Sequence, residues 1–457
     1  MTRISVVGLG KLGAPLAAAF ASRGFSVIGV DVNPTVVDAL NRGEAPVREP
    51  GLAEALQASN GRLHATTNTR DAILHTDATF IIVPTPSEGD GRFSLRYVLQ
   101  SAQAIGDALR EKADYHLVVV SSTVLPGSTQ FGVLPVLERA SGKRCGEHFG
   151  LCYSPEFIAL GSVLRDFLNP DFVLIGESDP RAGEMLEGIY RRVLLNHPPI
   201  VRMNWVNAEI AKIAVNTFVT MKISFANMLA GICERLPGGD VDTVTRAIGL
   251  DSRIGPRYLK GALGYGGPCF PRDNRALAFL ASYLEVPAPL AEATDAFNRG
   301  LVERVVERVS ALTPPGGKVA VLGLAYKPET PVVEESQGLL VARRLAERGM
   351  QVVVYDPLAL EEARKVLGEQ VAYAPSAQEA VRQAHVVLIA TPDPSFRTLR
   401  MDGKGPIVVD AWRLLREQMG NPGEAYAPLG IGRDDAEAQE RLARLWSTEE
   451  FDPTRVR

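Results

Sequence analysis

The sequence predicts an α/β fold: two Rossmann-like domains joined by a helical central domain with a long connecting helix. Three observations predict it. Short apolar, β-branched runs alternate with helical stretches, as the βαβ units of a parallel sheet require. That pattern stops near Asn204 and restarts at Lys318. Between the two, the apolar spacing is helical almost throughout.

Ile4 to Gly8 is the first strand, and a helix follows from Gly13 to Arg23. Val27 to Val30 is the next strand, closed by Asp31, and Asn33-Pro34 opens another helix. Phe80 to Val83 and Leu117 to Val120 are further buried strands, and Leu151-Cys152-Tyr153 belongs to another. From Asn204 to Leu236 the chain is one long helical stretch. Helical sequence continues to Leu312, interrupted by the glycine-rich Gly261 to Gly267. Pro314-Pro315-Gly316-Gly317 is the clearest linker. Lys318 to Gly323, Val352 to Asp356 and Val386 to Ala390 then repeat the sense of the first three strands, a repeat of fold rather than of residues. The expected domains are 1–203, 204–312 and 313–433, with a charged tail over 434–457.

A chain of 457 residues exceeds one compact core. The net charge of −4 supplies no basic field for nucleic acid. Four cysteines (Cys145, Cys152, Cys233 and Cys269) match no zinc spacing and no disulfide framework, which points to a reducing, cytoplasmic setting. The six histidines are scattered, so no metal site is expected. The N-terminus enters a strand directly and does not read as a signal peptide. Ile210 to Cys233 is the most membrane-like stretch. It carries Lys212, Asn216, Lys222 and Asn227, all costly in lipid, and reads as a buried helix.

Gly8-Leu9-Gly10-Lys11-Leu12-Gly13 is a G-x-G-x-x-G between a strand and a helix. Its glycines allow a tight turn, close approach of backbone to pyrophosphate, and helix-on-strand packing. The helix N-terminus offers N–H groups to the phosphates. Asp31, at the end of the second strand, is placed to accept hydrogen bonds from the adenosine ribose and to repel a 2′-phosphate. NAD is therefore favoured over NADP, while FAD shares the fingerprint. Pro84-Thr85-Pro86 and Ser122-Thr123 lie at carboxyl ends of strands, where such sheets bind ligands.

Gly266-Gly267-Pro268-Cys269-Phe270-Pro271-Arg272-Asp273 carries the most distinctive chemistry. A cysteine outside a disulfide is usually a small buried hydrophobe. Here the glycine pair lets backbone and substrate come close. Pro271 suits the first turn of a helix, whose N-terminus lowers a thiol pKa. Asp273 is near enough to orient water or take a proton. Lys212 and Asn216 share one helix face and together suit a developing oxyanion. Asn204, Asn207 and Glu209 precede them and must find partners or face a cavity. Glu156, in Ser154-Pro155-Glu156-Phe157, is placed to hold a water or a hydroxyl.

These residues resemble the UDP-glucose/GDP-mannose dehydrogenase family from Ile4 to about Trp412. The matching motifs are Gly8 to Gly13, Glu49-Pro50-Gly51-Leu52, Val83 to Pro86, Ser122-Thr123, Ser154 to Phe157, Asn207 to Asn216, Gly266 to Asp273 and Tyr326-Lys327-Pro328. The resemblance implies oxidation of a nucleotide-sugar C6 alcohol to the carboxylate with two NAD, UDP-glucose to UDP-glucuronate first among candidates. UDP-N-acetylhexosamine and GDP-mannose are alternatives. It implies Cys269 as nucleophile, passing through a thiohemiacetal and a thioester. Lys212 and Asn216 would stabilise oxyanions, and Asp273, Thr123 and Glu156 would position water and assist proton transfer. Thr123, Glu156, Pro84 and Thr85 would also line the cofactor, and Phe157 and Gly266 the substrate. Arg253 would reach a neighbouring subunit's substrate, Tyr258 and Lys260 would line the nucleotide-sugar site, and Lys327 would meet substrate from the third domain. A homodimer built around the long helix is implied.

The chain departs from the family in three places, one of them Arg272, which stands where a lysine is common and keeps the charge. After its Lys-Pro, where the family has an Asp-Asp-x-Arg-Glu-Ser run, Thr330 to Ser336 reads Thr-Pro-Val-Val-Glu-Glu-Ser, with Glu334 at the arginine position. The family's Pro-Asp-Arg is Pro170-Asp171-Phe172 here. Two other readings stay open: a two-electron hydroxyacid dehydrogenase, which needs no thiol, and an inactive nucleotide-sugar sensor.

Overall fold

The structure is a computed structural model that describes residues 2–401 and 405–446. It divides into two compact units, Met1–Val215 and Asn216–Arg457, with the boundary inside a 29-residue helix, Trp205–Cys233. The expected charged tail begins with a helix, Ala436–Leu445, and its end, 447–457, lies outside the described residues.

The first unit is built on eight strands: β1 (Arg3–Val7), β2 (Ser26–Val30), β3 (Leu63–Thr66), β4 (Ala78–Ile81), β5 (His116–Val120), β6 (Phe149–Tyr153), β7 (Val173–Glu177) and β8 (Ile200–Met203). Their order is β3-β2-β1-β4-β5-β6-β7-β8, parallel except where β6 meets β7. The order reverses between β1 and β4, the switch point at which such sheets bind ligands. Both faces are buried, as a parallel sheet requires. Ile4, Val6, Phe80 and Leu117 pack on one side, and Val7, Ile81, Val118 and Val120 on the other. The Phe20 ring joins Phe80 and Phe167, at 4.9 and 5.3 Å, beneath the first helix. β4 ends before the expected Val83. The Val83 N–H leaves the ladder for Ser122 Oγ (3.0 Å), just ahead of Pro84, which has no N–H to give.

The long helix starts at Trp205 because Asn204 Oδ1 accepts the Asn207 N–H (2.9 Å). It stops at Cys233, short of the expected Leu236, where Pro237-Gly238-Gly239 cannot continue it. By length and composition it is apolar enough to cross a membrane, yet several of its polar residues have partners in the protein. Glu209 has no exposed surface and accepts the N–H groups of Gly127 (2.6 Å) and Thr129 (2.8 Å). Asn227 accepts from Ala262 N (2.6 Å) and donates to Leu263 O (3.0 Å).

The second unit holds the helices Val241–Gly249, Phe270–Tyr283 and Pro289–Leu312 and a parallel sheet. The strands are β9 (Lys318–Leu322), β10 (Gln351–Tyr355), β11 (Ala372–Tyr373), β12 (Val386–Ile389) and β13 (Ile407–Asp410), in the order β11-β10-β9-β12-β13. This is the predicted repeat of the first fold. It extends to the glycines: a Cβ on Gly13 would lie 1.7 Å from Gly8 O, and one on Gly338 would lie 2.1 Å from Gly323 O. Each pair packs a helix tightly on the end of its first strand.

Candidate active site

In the first unit the G-x-G-x-x-G glycines separate by role. Gly8 has φ +93°, and a Cβ there would meet Ile82 O at 2.4 Å. Gly8 and Gly13 are therefore demanded by the protein's own packing. Gly10 is exposed, and a Cβ there would meet nothing within 4 Å. The space above Gly10 and the exposed Lys11 suits a close-lying phosphate group. Among the described residues no side chain caps the following helix at Leu12.

Asp31 sits at the carboxyl end of β2. Its Oδ2 accepts the Leu9 N–H at 2.7 Å and its Oδ1 the Asn33 N–H at 2.9 Å. Both oxygens keep lone pairs for ribose hydroxyls. Its counterpart in the second sheet, Asp356, is buried and accepts four N–H groups, from Leu324, Ala325, Leu358 and Ala359. The same carboxylate position thus closes a turn in one sheet and stays partly accessible in the other. The glycine turn, its uncapped helix and Asp31 together fit NAD.

Two strand ends flank this turn. Thr85 is buried and donates to Thr123 O (2.7 Å), while Pro84 beside it is exposed. Ser122 Oγ donates to Val83 O (2.7 Å). Glu209 then fixes the loop after Thr123 by its two bonds at Gly127 and Thr129.

Beyond β6, Lys212 Nζ donates to Glu156 O at 2.6 Å and lies 4.5 Å from the centre of the Phe157 ring. Phe172, at the departure from Pro-Asp-Arg, packs on Phe157 with ring centres 4.8 Å apart. Tyr190 OH reaches Glu156 Oε1 at 3.4 Å and Ser154 Oγ at 2.8 Å. Burial pushes the Glu156 carboxyl up to about 7, partly offset by the Lys212 charge and the Tyr190 hydrogen bond. A carboxyl titrating there can pass a proton either way near neutrality. Tyr190 and Phe172 carried no local sequence signal for this cluster, because their partners lie far away along the chain.

In the second unit Cys269 is an exposed thiol at the N-cap of Phe270–Tyr283, with Pro271 in the first turn. Asp273 is wholly buried. Its Oδ2 accepts Asn216 Nδ2 at 2.6 Å, and Arg272 Nε lies 3.3 Å from its Oδ1. Asn274 Nδ2 donates to Thr220 Oγ1 (2.8 Å) and Phe270 O (3.1 Å), tying the head of this helix to the long one. The close approach that Gly266 and Gly267 permit is filled by the chain itself. A Cβ on Gly266 would lie 2.3 Å from Glu335 O, and one on Gly267 would lie 2.6 Å from the Tyr326 ring.

The remaining residues expected at the nucleotide sugar are accessible or partly so. Arg253 is largely exposed and paired with Asp251 at 2.6 Å. Tyr258 has φ +63° and meets the Phe270 ring edge-on at 6.3 Å. Lys260 lies 3.8 Å from Asp242, and Lys327 Nζ lies 6.0 Å from the Tyr326 ring centre. Glu49, in the Glu-Pro-Gly-Leu motif, accepts the N–H groups of Gly161 (2.9 Å) and Val163 (2.8 Å), a structural role.

Three family models cover most of the chain. Residues 2–194 match the NAD binding domain of the UDP-glucose/GDP-mannose dehydrogenase family, 206–300 its central domain and 320–417 its UDP binding domain. A UDP-glucose 6-dehydrogenase of Haloferax volcanii is 40% identical over 91% of this chain and 98% of its own. A GDP-mannose 6-dehydrogenase of Pseudomonas putida is 34% identical over 89% and 95%. Among solved structures, a UDP-glucose dehydrogenase from Pyrobaculum islandicum has a TM-score of 0.86 at 40% identity, covering 93% of this chain and 98% of that one. The chain belongs to the UDP-glucose/GDP-mannose dehydrogenase family of NAD-dependent nucleotide-sugar dehydrogenases.

Proposed function

We propose that this chain oxidises the C6 alcohol of a nucleotide sugar to the carboxylate through covalent intermediates on Cys269, with UDP-glucose as substrate and UDP-glucuronate as product. The exposed Cys269 thiol at a helix head is the observation that carries the reading. The names of the Haloferax and Pyrobaculum relatives favour UDP-glucose. The Gly8–Gly13 turn and Asp31 would hold NAD, which would supply the hydride acceptor for two successive oxidations, one NAD being consumed in each. Between them the thiolate of Cys269 adds to the C6 aldehyde, so the reactive carbonyl is held and still presents a C–H. After the second oxidation, water displaces the thiolate from the thioester to give the acid. Glu156 and Thr123 serve the proton transfers and water placement, with Lys212 and Asn216 donating to the oxyanions. Asp273 orients the Asn216 amide through their 2.6 Å bond.

A release assay over UDP-glucose, UDP-N-acetylhexosamines, UDP-galactose and GDP-mannose tests this. Two NADH per UDP-glucose are expected, and one NADH would favour a hydroxyacid-type dehydrogenase. Binding of NAD and UDP-sugar with no NADH would mark a sensor. Cys269→Ser should lose acid formation by at least ~100-fold, and acid formed at the parental rate would rule out the thioester route. We also propose a homodimer. An exposed apolar row on the long helix, Phe218, Phe225, Met228 and Ile232, supports it.

A further inference from the structure

The loop 323–336, between β9 and its helix, replaces the short turn that Gly8–Leu12 makes in the first sheet. It contains the segment that departs most from the family, Thr330 to Ser336. It closes on itself where Tyr326 N donates to Val332 O (3.0 Å) and Val332 N to Thr330 Oγ1 (3.3 Å). Glu329 and Glu335 both hold positive φ, +63° and +50°. A β-carbon is disfavoured in that region, so two such residues mark a loop held by its surroundings.

Those surroundings are the turn that carries the thiol. Gly267 N donates to Glu334 O at 2.9 Å, and Gln337 Nε2 reaches Tyr265 O at 3.3 Å. Arg275, on the thiol helix, lies 3.5 Å from Glu335. The Tyr326 ring lies flush on Gly267, at the position a side chain there would need. Gly267 itself has φ +83°, two residues ahead of Cys269. The hydrogen bond at residue 334 is made by the main chain. A glutamate at the family's arginine position therefore leaves it intact.

We propose that Tyr326 is a positioning residue for the Cys269 thiol: its ring, seated on Gly267, fixes the turn that presents the thiol at the head of its helix. Lys327 follows Tyr326 directly, so the loop expected to meet the nucleotide sugar also sets the geometry of the thiol. The inference rests on the reading of Cys269 as the reacting group.

The test is alkylation of the intact, full-length protein by iodoacetamide across pH 6–9, with Cys269→Ser as the blank for the less accessible thiols. Tyr326→Ala should slow modification of Cys269 by at least tenfold and lower kcat with UDP-glucose by a similar factor. The half-saturation for NAD should stay unchanged, and Tyr326→Phe, which keeps the ring, should restore both rates. Gly267→Ala should slow alkylation as well, and its loss should fail to add to that of Tyr326→Ala, since both disturb one contact. If Tyr326→Ala does not fold, Tyr326→Leu replaces it, with a several-fold slowing expected. A folded Ala or Leu variant whose thiol reacts at the parental rate would overturn the proposal. Alkylation needs no substrate, so this failure is distinct from that of the thioester route, which shows as acid formation by Cys269→Ser.

Discussion

Single side chains divide this protein between packing and chemistry, and glycine shows it most clearly. Gly13 has no room for a β-carbon and Gly10 has ample room. Gly13→Ala should lower stability by ~2 kcal/mol or more, read by denaturant unfolding. Gly10→Ala should fold within ~0.5 kcal/mol of the parent yet bind NAD at least tenfold more weakly by titration. Equal NAD affinity would remove Gly10 from the phosphate site. Glu156 makes a pH argument at the same scale. Its carboxyl rises from the usual 4.5 to about 7 through burial, so the folded protein holds a proton that the unfolded chain releases between those values. This burial therefore costs nothing below about 4.5. The cost grows as pH rises to about 7, reaching ~3 kcal/mol of lost stability. Glu156→Gln should flatten that decline in a pH series of unfolding midpoints. If Glu156 works as a base, the variant should also lose an activity limb centred near pH 7.

Elements repeat in this chain, but their uses do not. β1 and β9 each end in a glycine pair that seats a helix, and β2 and β10 each end in an aspartate. Asp356 spends its carboxylate on four backbone N–H groups, whereas Asp31 accepts two. Asp356→Asn would turn a donor toward donors and should cost ~2 kcal/mol or more with NAD binding intact. Asp31→Asn should be milder for stability and should narrow the preference for NAD over NADP. Reversed outcomes in paired melting and binding measurements would exchange the roles given to the two carboxylates. The long helix adds a further case. Glu209 reads as a polar intrusion in an apolar run, and the fold uses it to pin Gly127 and Thr129. Removing it with Glu209→Ala should cost ~2–4 kcal/mol, measured by chemical unfolding, because the buried Thr129 N–H and the partly buried Gly127 N–H lose their acceptor.

At the scale of the whole molecule, the exposed row on the long helix supports the proposed homodimer. Phe225→Glu with Met228→Glu should shift sedimentation from dimer to monomer, and an unchanged dimer would place the interface elsewhere. The alternation of strands and helices, the two largely parallel sheets and the helical middle were legible in the sequence, because periodicity and glycine placement act over a few neighbouring residues. β3, β7, β8, β11, β13 and the antiparallel β6–β7 pairing were not read from it. Gly8, Gly10, Gly13 and Asp31 announced a dinucleotide turn, and Pro271 announced a helix starting beside Cys269. The sequence by itself thus determined which elements form and which chemical groups stand at their ends. Only the tertiary structure decided the partners. Lys212 with Glu156 and Phe157, Asn216 with Asp273, Glu209 with the Thr123 loop, and Tyr326 on Gly267 all join residues distant along the chain. The reason is physical. A local pattern fixes backbone conformation, but a buried polar atom finds its partner only once packing has removed water and left one neighbour within reach.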